Sequence, residues 1–293
     1  VDIDGVFSGG GIKGFALIGA YQAIEEKGYT FKRLAGTSAG AVIAAFIAAG
    51  YTSGELLKIM DDVDLKKLLD SNAIISLPIL KWFRVYYRLG LYKGKALESW
   101  LEERLKARGI YTFADLPPQS LRVIASDLSN GRLLVLPDDL EKYGIAKETF
   151  PVARAIRMSA SLPYFFEPVK LRSLEGVSLM VDGGVLSNFP MWLFDRENVK
   201  KVRPVIGVKL SHDLLAKPKK QIKNAIDLYE ALFTTMKDAH DSRYISRKHE
   251  KNIIFVPTKG VLTTEFELTP ERKTELILYG KSKAEAFLQK WPH

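Results

Sequence analysis

Apolar and polar positions follow two rhythms in the first fifty residues, and each rhythm breaks at a glycine cluster. Asp2 to Phe7 is a short β-type run that stops at Ser8 and three glycines. Phe15 to Lys27 then places apolar residues at 15, 17, 18, 21 and 24. That is the spacing of an amphipathic helix, and Gly28 suits its C-terminal stop. Phe31 to Ala35 reads as a second strand running into Gly36-Thr37-Ser38-Ala39-Gly40. Ala39 to Ala49 is apolar on all sides, which predicts a fully buried helix. The order strand, glycine loop, helix, strand, serine turn, buried helix is a βαβα opening. It predicts a parallel sheet with helices on its faces.

Further along, Leu121 to Ser126 and Arg132 to Leu136 read as strands paired around the turn Ser129-Asn130-Gly131. Ser178 to Val181 leads into Asp182-Gly183-Gly184. Val202 to Leu210 and Asn252 to Val256 have the continuous apolar character of buried strands, and a long helix is expected over Gln221 to Lys248. A last helix opens well, with Thr269 as N-cap, Pro270 at its first position and Glu271 beside the positive end of the dipole. No repeat, low-complexity linker or boundary divides the chain, so residues 1–293 are expected to form one domain.

Residues 74–100 break the pattern. Trp82, Phe83, Tyr86, Tyr87, Tyr92 and Trp100 alternate there with Lys81, Arg84, Arg88, Lys93 and Lys95. Mixed rings and cations suit a lipid–water interface. They equally suit a cap that packs its rings inward and leaves its charges in water.

Composition narrows the chemistry. The 293 residues are 47% hydrophobic, enough for a sizeable core. No apolar run reaches the ~18 residues of a membrane span, and the N-terminus lacks the pattern of a signal peptide. The absence of cysteine removes disulfides, zinc–thiolate sites and a thiol nucleophile together, and fits a reducing cytosol. A net charge of +9 favours an anionic surface such as phospholipid head groups. Charge alone, as at Lys217, Lys219, Lys220 and Lys223, does not make a nucleic-acid site, and none is expected.

Two glycine turns carry the candidate chemistry. Gly9-Gly10-Gly11-Ile12-Lys13-Gly14 contains the dinucleotide pattern G-x-G-x-x-G. The following strand offers no acid for a ribose hydroxyl, only Lys32 and Arg33, so a nucleotide-binding oxidoreductase is the weaker alternative. Bare amides at a helix N-terminus can instead converge on a developing oxyanion. Gly36-Thr37-Ser38-Ala39-Gly40 matches G-x-S-x-G, a strained turn that lifts a serine hydroxyl clear of the sheet. Such a serine needs a base. Of His212, His240, His249 and His293, only His212 is placed like a loop residue after a strand. Asp182, directly after a strand and before two glycines, is the alternative.

Four segments taken together, SGGGIKG at 8–14, GTSAG at 36–40, MSASLPYFFEP at 158–168 and DGGVLSNFP at 182–190, resemble the patatin-like phospholipase family. The resemblance implies a three-layer α/β/α fold with a mostly parallel central sheet. It also implies a Ser–Asp dyad without histidine, with Ser38 as nucleophile, Asp182 as base and Gly9, Gly10 and Gly11 as the oxyanion loop. Ser161, Pro163, Pro168, Asn188 and Pro190 fall at loop positions expected to shape the site. The implied substrates are acyl esters of phospholipids or lysophospholipids, with a general carboxylesterase as the alternative. A lipid-binding protein lacking catalysis would not need Ser38 and Asp182. No cofactor or metal is implied, and the expected place is the cytoplasm, peripheral at an anionic membrane surface.

Overall fold

The computed structural model describes residues 1–70, 84–195, 201–211, 222–223, 225–245, 250–258 and 268–293. Its first elements follow the sequence pattern: β1 (Asp2–Phe7), a 3₁₀ turn at Gly11–Gly14, α1 (Phe15–Glu26), β2 (Thr30–Thr37) and α2 (Ala39–Ala48). Next come α3 (Ser53–Asp62), β3 (Gly90–Tyr92), α4 (Lys95–Lys106), the strands β4 (Leu121–Asp127) and β5 (Arg132–Leu136), and α5 (Val152–Ser159). The chain continues with β6 (Tyr164–Phe166), β7 (Val169–Ser173), β8 (Gly176–Asp182) and β9 (Val205–Ser211). It closes with α6 (Ala225–Tyr244), β10 (Ile253–Pro257) and α7 (Pro270–Leu288).

The central sheet runs β10-β9-β1-β2-β4-β8-β7, with β5 on β4. The strands from β10 to β4 in that order pair in parallel, β5 and β8 pair antiparallel with β4, and β7 pairs antiparallel with β8. Both faces are covered, as a parallel sheet requires. The period of two along each strand sorts side chains between two cores. Ile3, Phe7, Leu34, Val208 and Ile254 point to the larger core with α1 and α2, while Val6, Ala35, Val205 and Ile253 meet Phe189, Met191 and Phe194 on the other face. Arg33 points to that second face, where its Nε donates to the buried carboxylate of Asp4 at 3.0 Å and its guanidinium lies 4.9 Å from the Phe194 ring. It is thereby committed within the sheet rather than offered to a cofactor phosphate.

Several elements differ from their expected bounds. β9 begins at Val205 rather than Val202, because Pro204 has no N–H for a ladder; its carbonyl accepts from Asp4 instead. α6 is described from Ala225 to Tyr244 within the expected span. Part of the 74–100 segment lies outside the described residues, Lys81, Trp82 and Phe83 included. The remainder is ordered structure: β3 pairs in parallel with β6, and α4 packs Leu101 and Leu105 into the core. Trp100 packs against the larger core, whereas Tyr86 and Tyr87 are exposed.

The last helix locks the first. α7 crosses α1 so closely that a methyl at Gly280 would lie 1.9 Å from the Ala16 carbonyl oxygen, and one at Gly19 would lie 1.8 Å from that of Ile277. Both contacts are backbone to backbone and cannot be relieved by a side-chain rotation. Gly280→Ala is therefore expected to lower unfolding free energy by about 1–3 kcal/mol. Gly54→Ala, in α3 with nothing within 4 Å, should leave it unchanged or raise it by up to about 1 kcal/mol. Urea titration of the two variants checks the contrast.

Candidate active site

β4 brings the two candidate reacting residues together. One of its edges is occupied by β5 from Val123 to Asp127. The opposite edge is shared: β2 takes it up to the pair Thr37–Ile124, and β8 takes it from the pair Asp182–Ala125 onward. Because β2 runs parallel to β4 and β8 runs antiparallel, the C-terminal ends of β2 and β8 meet head to head. The next residue after β2 is Ser38, and the last residue of β8 is Asp182. Residues far apart in sequence thus become neighbours above adjacent backbone positions of β4.

The serine turn is built by exclusion. A methyl on Gly36 would lie 2.3 Å from the Gly40 carbonyl oxygen, and one on Gly40 would lie 2.2 Å from that of Phe7. The G-x-S-x-G spacing is therefore a steric requirement of packing β2 and α2 against β1. Ser38 itself has φ 54 and ψ −122, a conformation that costs a non-glycine residue on the order of 1–3 kcal/mol. Its N–H donates to Ser159 Oγ at 2.8 Å, and its carbonyl receives the first amides of α2.

Asp182 is fixed by the same loop that holds the serine. Its N–H donates to the Ser161 carbonyl at 2.9 Å, and its Oδ1 accepts from the Gly184 amide at 2.7 Å. Ser159 and Ser161 lie close in sequence and brace the two chain ends. Arg157 fixes this brace in turn. Buried at 2% exposure, it donates to the carbonyls of Gly94 (3.0 Å), Lys93 (2.8 Å) and Glu167 (2.9 Å) and to Ser161 Oγ. Burial draws its pKa down to about 10, so it stays charged at neutral pH. The expectation that Ser161 shapes the site thus acquires a mechanism.

The Asp182 carboxyl is almost wholly buried, and its desolvation raises the pKa above the ordinary carboxylate value. A hydrogen bond with Ser38, the Gly184 amide and the charge of Lys237 act in the opposite sense. Beside it, the glycine loop follows β1. The Gly9 amide is already committed to the Asn188 carbonyl at 3.0 Å, so of the three expected oxyanion donors it is the one not free to serve. Gly10 and Gly11 open the 3₁₀ turn, where backbone N–H groups have no intrahelical acceptor, and both line the cavity in front of Ser38.

That cavity has a volume of about 140 Å³. Besides Ser38 and Asp182 its lining is mostly apolar, with Phe15, Val42, Met60, Leu65, Leu97 and Trp100 among the residues that form it. Met60 and Leu65 in this wall, and Phe233 and Lys237 of α6 near its polar end, were not among the expected site residues. The Thr52–Glu55 capping box that starts α3 is a readable sequence signal for the first pair. His240 and His293 do not line the cavity, and His212 and His249 lie outside the described residues. No cluster of potential metal ligands occurs among the described residues. No helix of the described residues is long and apolar enough to cross a membrane.

With this geometry in view, comparison with known proteins gives a consistent result. A family model described as patatin-like phospholipase matches residues 5–195. YqhO of Bacillus subtilis (strain 168) is 56% identical over 99% of both chains. A protein of invertebrate iridescent virus 6 named "Probable lipid hydrolase 463L" is 25% identical over 69% of this chain and 68% of its own. Among solved structures, VipD from Legionella pneumophila superposes with a TM-score of 0.58 at 18% identity, covering 99% of this chain and 67% of that one. The chain belongs to the patatin-like phospholipase family, a family of lipid hydrolases.

The brace yields a prediction. Arg157→Met would remove the guanidinium's hydrogen bonds to three carbonyls and to the Ser161 hydroxyl around a buried position, and is expected to cost about 3–5 kcal/mol of stability. Arg157→Lys should recover less than half of that, because one ammonium cannot reproduce the planar fork. Denaturant midpoints of the two variants decide it.

Proposed function

We propose that this protein is a serine hydrolase of lipid acyl esters, cleaving phospholipids or lysophospholipids through a Ser38–Asp182 dyad. The observation that carries the reading is the head-to-head meeting of β2 and β8 on the β4 edge, which brings the strained serine next to a desolvated carboxylate, both lining a mostly apolar cavity. The acyl chain lies along the wall toward Trp100, and the ester carbonyl oxygen faces the Gly10 and Gly11 amides.

Asp182 takes the Ser38 hydroxyl proton as Oγ attacks the carbonyl carbon, and the amides stabilise the tetrahedral oxyanion. Collapse breaks the ester C–O bond. The proton on Asp182 passes to the leaving alkoxide, which departs as the alcohol. Water then attacks the acyl-serine and gives its proton to Asp182. The second collapse returns that proton to Ser38 Oγ and releases the fatty acid. Desolvation makes the carboxylate a better proton acceptor than an exposed aspartate of pKa about 4. A general carboxylesterase would use the same dyad. The long apolar wall favours substrates with an extended acyl chain.

Exposed apolar side chains before β3 and on its partner β6 support contact with an anionic bilayer. Tyr86, Tyr87 and Leu89 precede β3, and Tyr164 lies on its partner β6. The Tyr164 ring meets Tyr229 at 5.3 Å, and Tyr229 stacks on the cavity-lining Phe233. Arg88, Lys93 and Lys95 are exposed in the same segment, giving rings and cations together as an interface requires.

Ser38→Ala and Asp182→Asn should each lower kcat/KM for a long-chain lysophospholipid by about 10³-fold or more, whereas His212→Ala should leave it unchanged. A large loss in His212→Ala alone would replace the dyad with a triad. Since burial raises the Asp182 pKa, activity should be full at higher pH and decline as pH falls through a value above the ordinary carboxylate range. A pH profile of kcat/KM reads it. Replacing both Tyr86 and Tyr87 by Ser should slow release from anionic vesicles several-fold while sparing a soluble short-chain ester. Equal loss on both substrates would argue against the interface.

A further inference from the structure

Helix α6 lies beyond residues 5–195, yet it sends two side chains to the site, one turn apart, and anchors the next residue on the same face. Phe233 and Lys237 line the cavity together with Ser38 and Asp182. Asp241, one turn further, is buried, pairs with Lys209 of β9 and accepts from Asn188 Nδ2 at 3.3 Å. The i, i+4, i+8 spacing puts the three on one face of the helix. Asp241 therefore ties that face both to the sheet and to the loop that follows Asp182, and so sets where Lys237 stands along the cavity.

The groups around this pair come from every element packed against it. Asp182 is faced by the Ser38 hydroxyl, the Gly184 amide, Tyr229 and Lys237. Lys237 feels the charges of Asp182, Asp241, Asp238 and Lys209, and it shares a small polar recess behind Gly9 and Gly10 with Lys13, Lys209, Asp238, Ser211, Thr234 and Thr258. Burial draws the Lys237 pKa below the ordinary lysine value, and the three carboxylates oppose that fall. Asn188 Oδ1 is buried within reach of both the glycine loop and the turn after Asp182, and it has no donor among the described residues. The ammonium is thus a charge that these acceptors favour.

We propose that Lys237 is a positioning residue for ester cleavage: its ammonium, seated by the Phe233–Lys237–Asp241 face in the cavity that Asp182 also lines, keeps the Asp182 carboxylate charged where water hardly reaches. The inference rests on the Ser38–Asp182 reading. A carboxyl taken out of water favours its neutral form, which cannot accept the serine proton. A fixed neighbouring cation reverses that preference, and without it the carboxyl ionises only at higher pH.

The test is the rate at which a fluorophosphonate labels Ser38 between about pH 5 and 9. In Lys237→Met the acid limb should move up by about one pH unit or more. That is roughly tenfold slower labelling at about pH 6 with little change on the alkaline plateau. Lys237→Arg should return the limb toward its original place. Lys237→Gln, which keeps polarity without charge, must show the same shift as Lys237→Met and serves where the methionine variant does not fold. An unmoved limb in the neutral variants overturns the proposal. So does an equal, pH-independent loss in Lys237→Arg and Lys237→Gln, which would mark a packing role. A wild-type chain unlabelled at Ser38 would overturn the underlying dyad as well, so the two failures are distinguishable.

Discussion

One edge of one strand organises this molecule. β4 offers a continuous row of backbone hydrogen-bonding groups, and two strands of opposite direction divide it between them. Neither can extend without displacing the other, so their ends abut at a fixed register. Strand pairing specifies position along the axis to within one residue, because a slip would turn every side chain to the other face. The separation of Ser38 and Asp182 is thereby set by the sheet's own ladder.

Around that junction the supports are layered. Ser159 and Ser161 hold the two strand ends from one loop, and Arg157 holds the loop. Arg157 also reaches the carbonyls flanking β3 and β6, so the small two-stranded cap and the main sheet share an anchor. A guanidinium suits this place because its donors lie in one plane and spread to several acceptors at once. The β3–β6 pair is consequently joined by hydrogen bonds to the end of the sheet that carries Ser38 and Asp182, and Phe165 and Phe166 of that region line the cavity.

Much of this was legible in the residues. The βαβα opening, the serine turn and the strand before Asp182 are local patterns, and each was formed by local forces: strand alternation, glycine packing, an all-apolar helix. The meeting of Ser38 with Asp182 was anticipated only through the four matched segments together, since nothing in the spacing of 38 and 182 says that their strands share an edge. The contribution of α6 was not anticipated. Its inner residues recur every four positions among polar neighbours, and which face turned toward Asp182 depended on the Lys209–Asp241 pairing across the sheet. Gly9 shows the converse limit: a glycine loop announces free amides, but whether one of them is already occupied is decided by the distant carbonyl of Asn188.

The left-handed turn at Ser38 bears on how such a chain can change over time. A side chain at that position opposes folding, and glycine would remove the opposition. Under the proposed dyad, stability and chemistry therefore pull in different directions at this single residue. Glycine there would keep the turn and its packing at lower conformational cost, while lacking the hydroxyl that the proposed reaction requires.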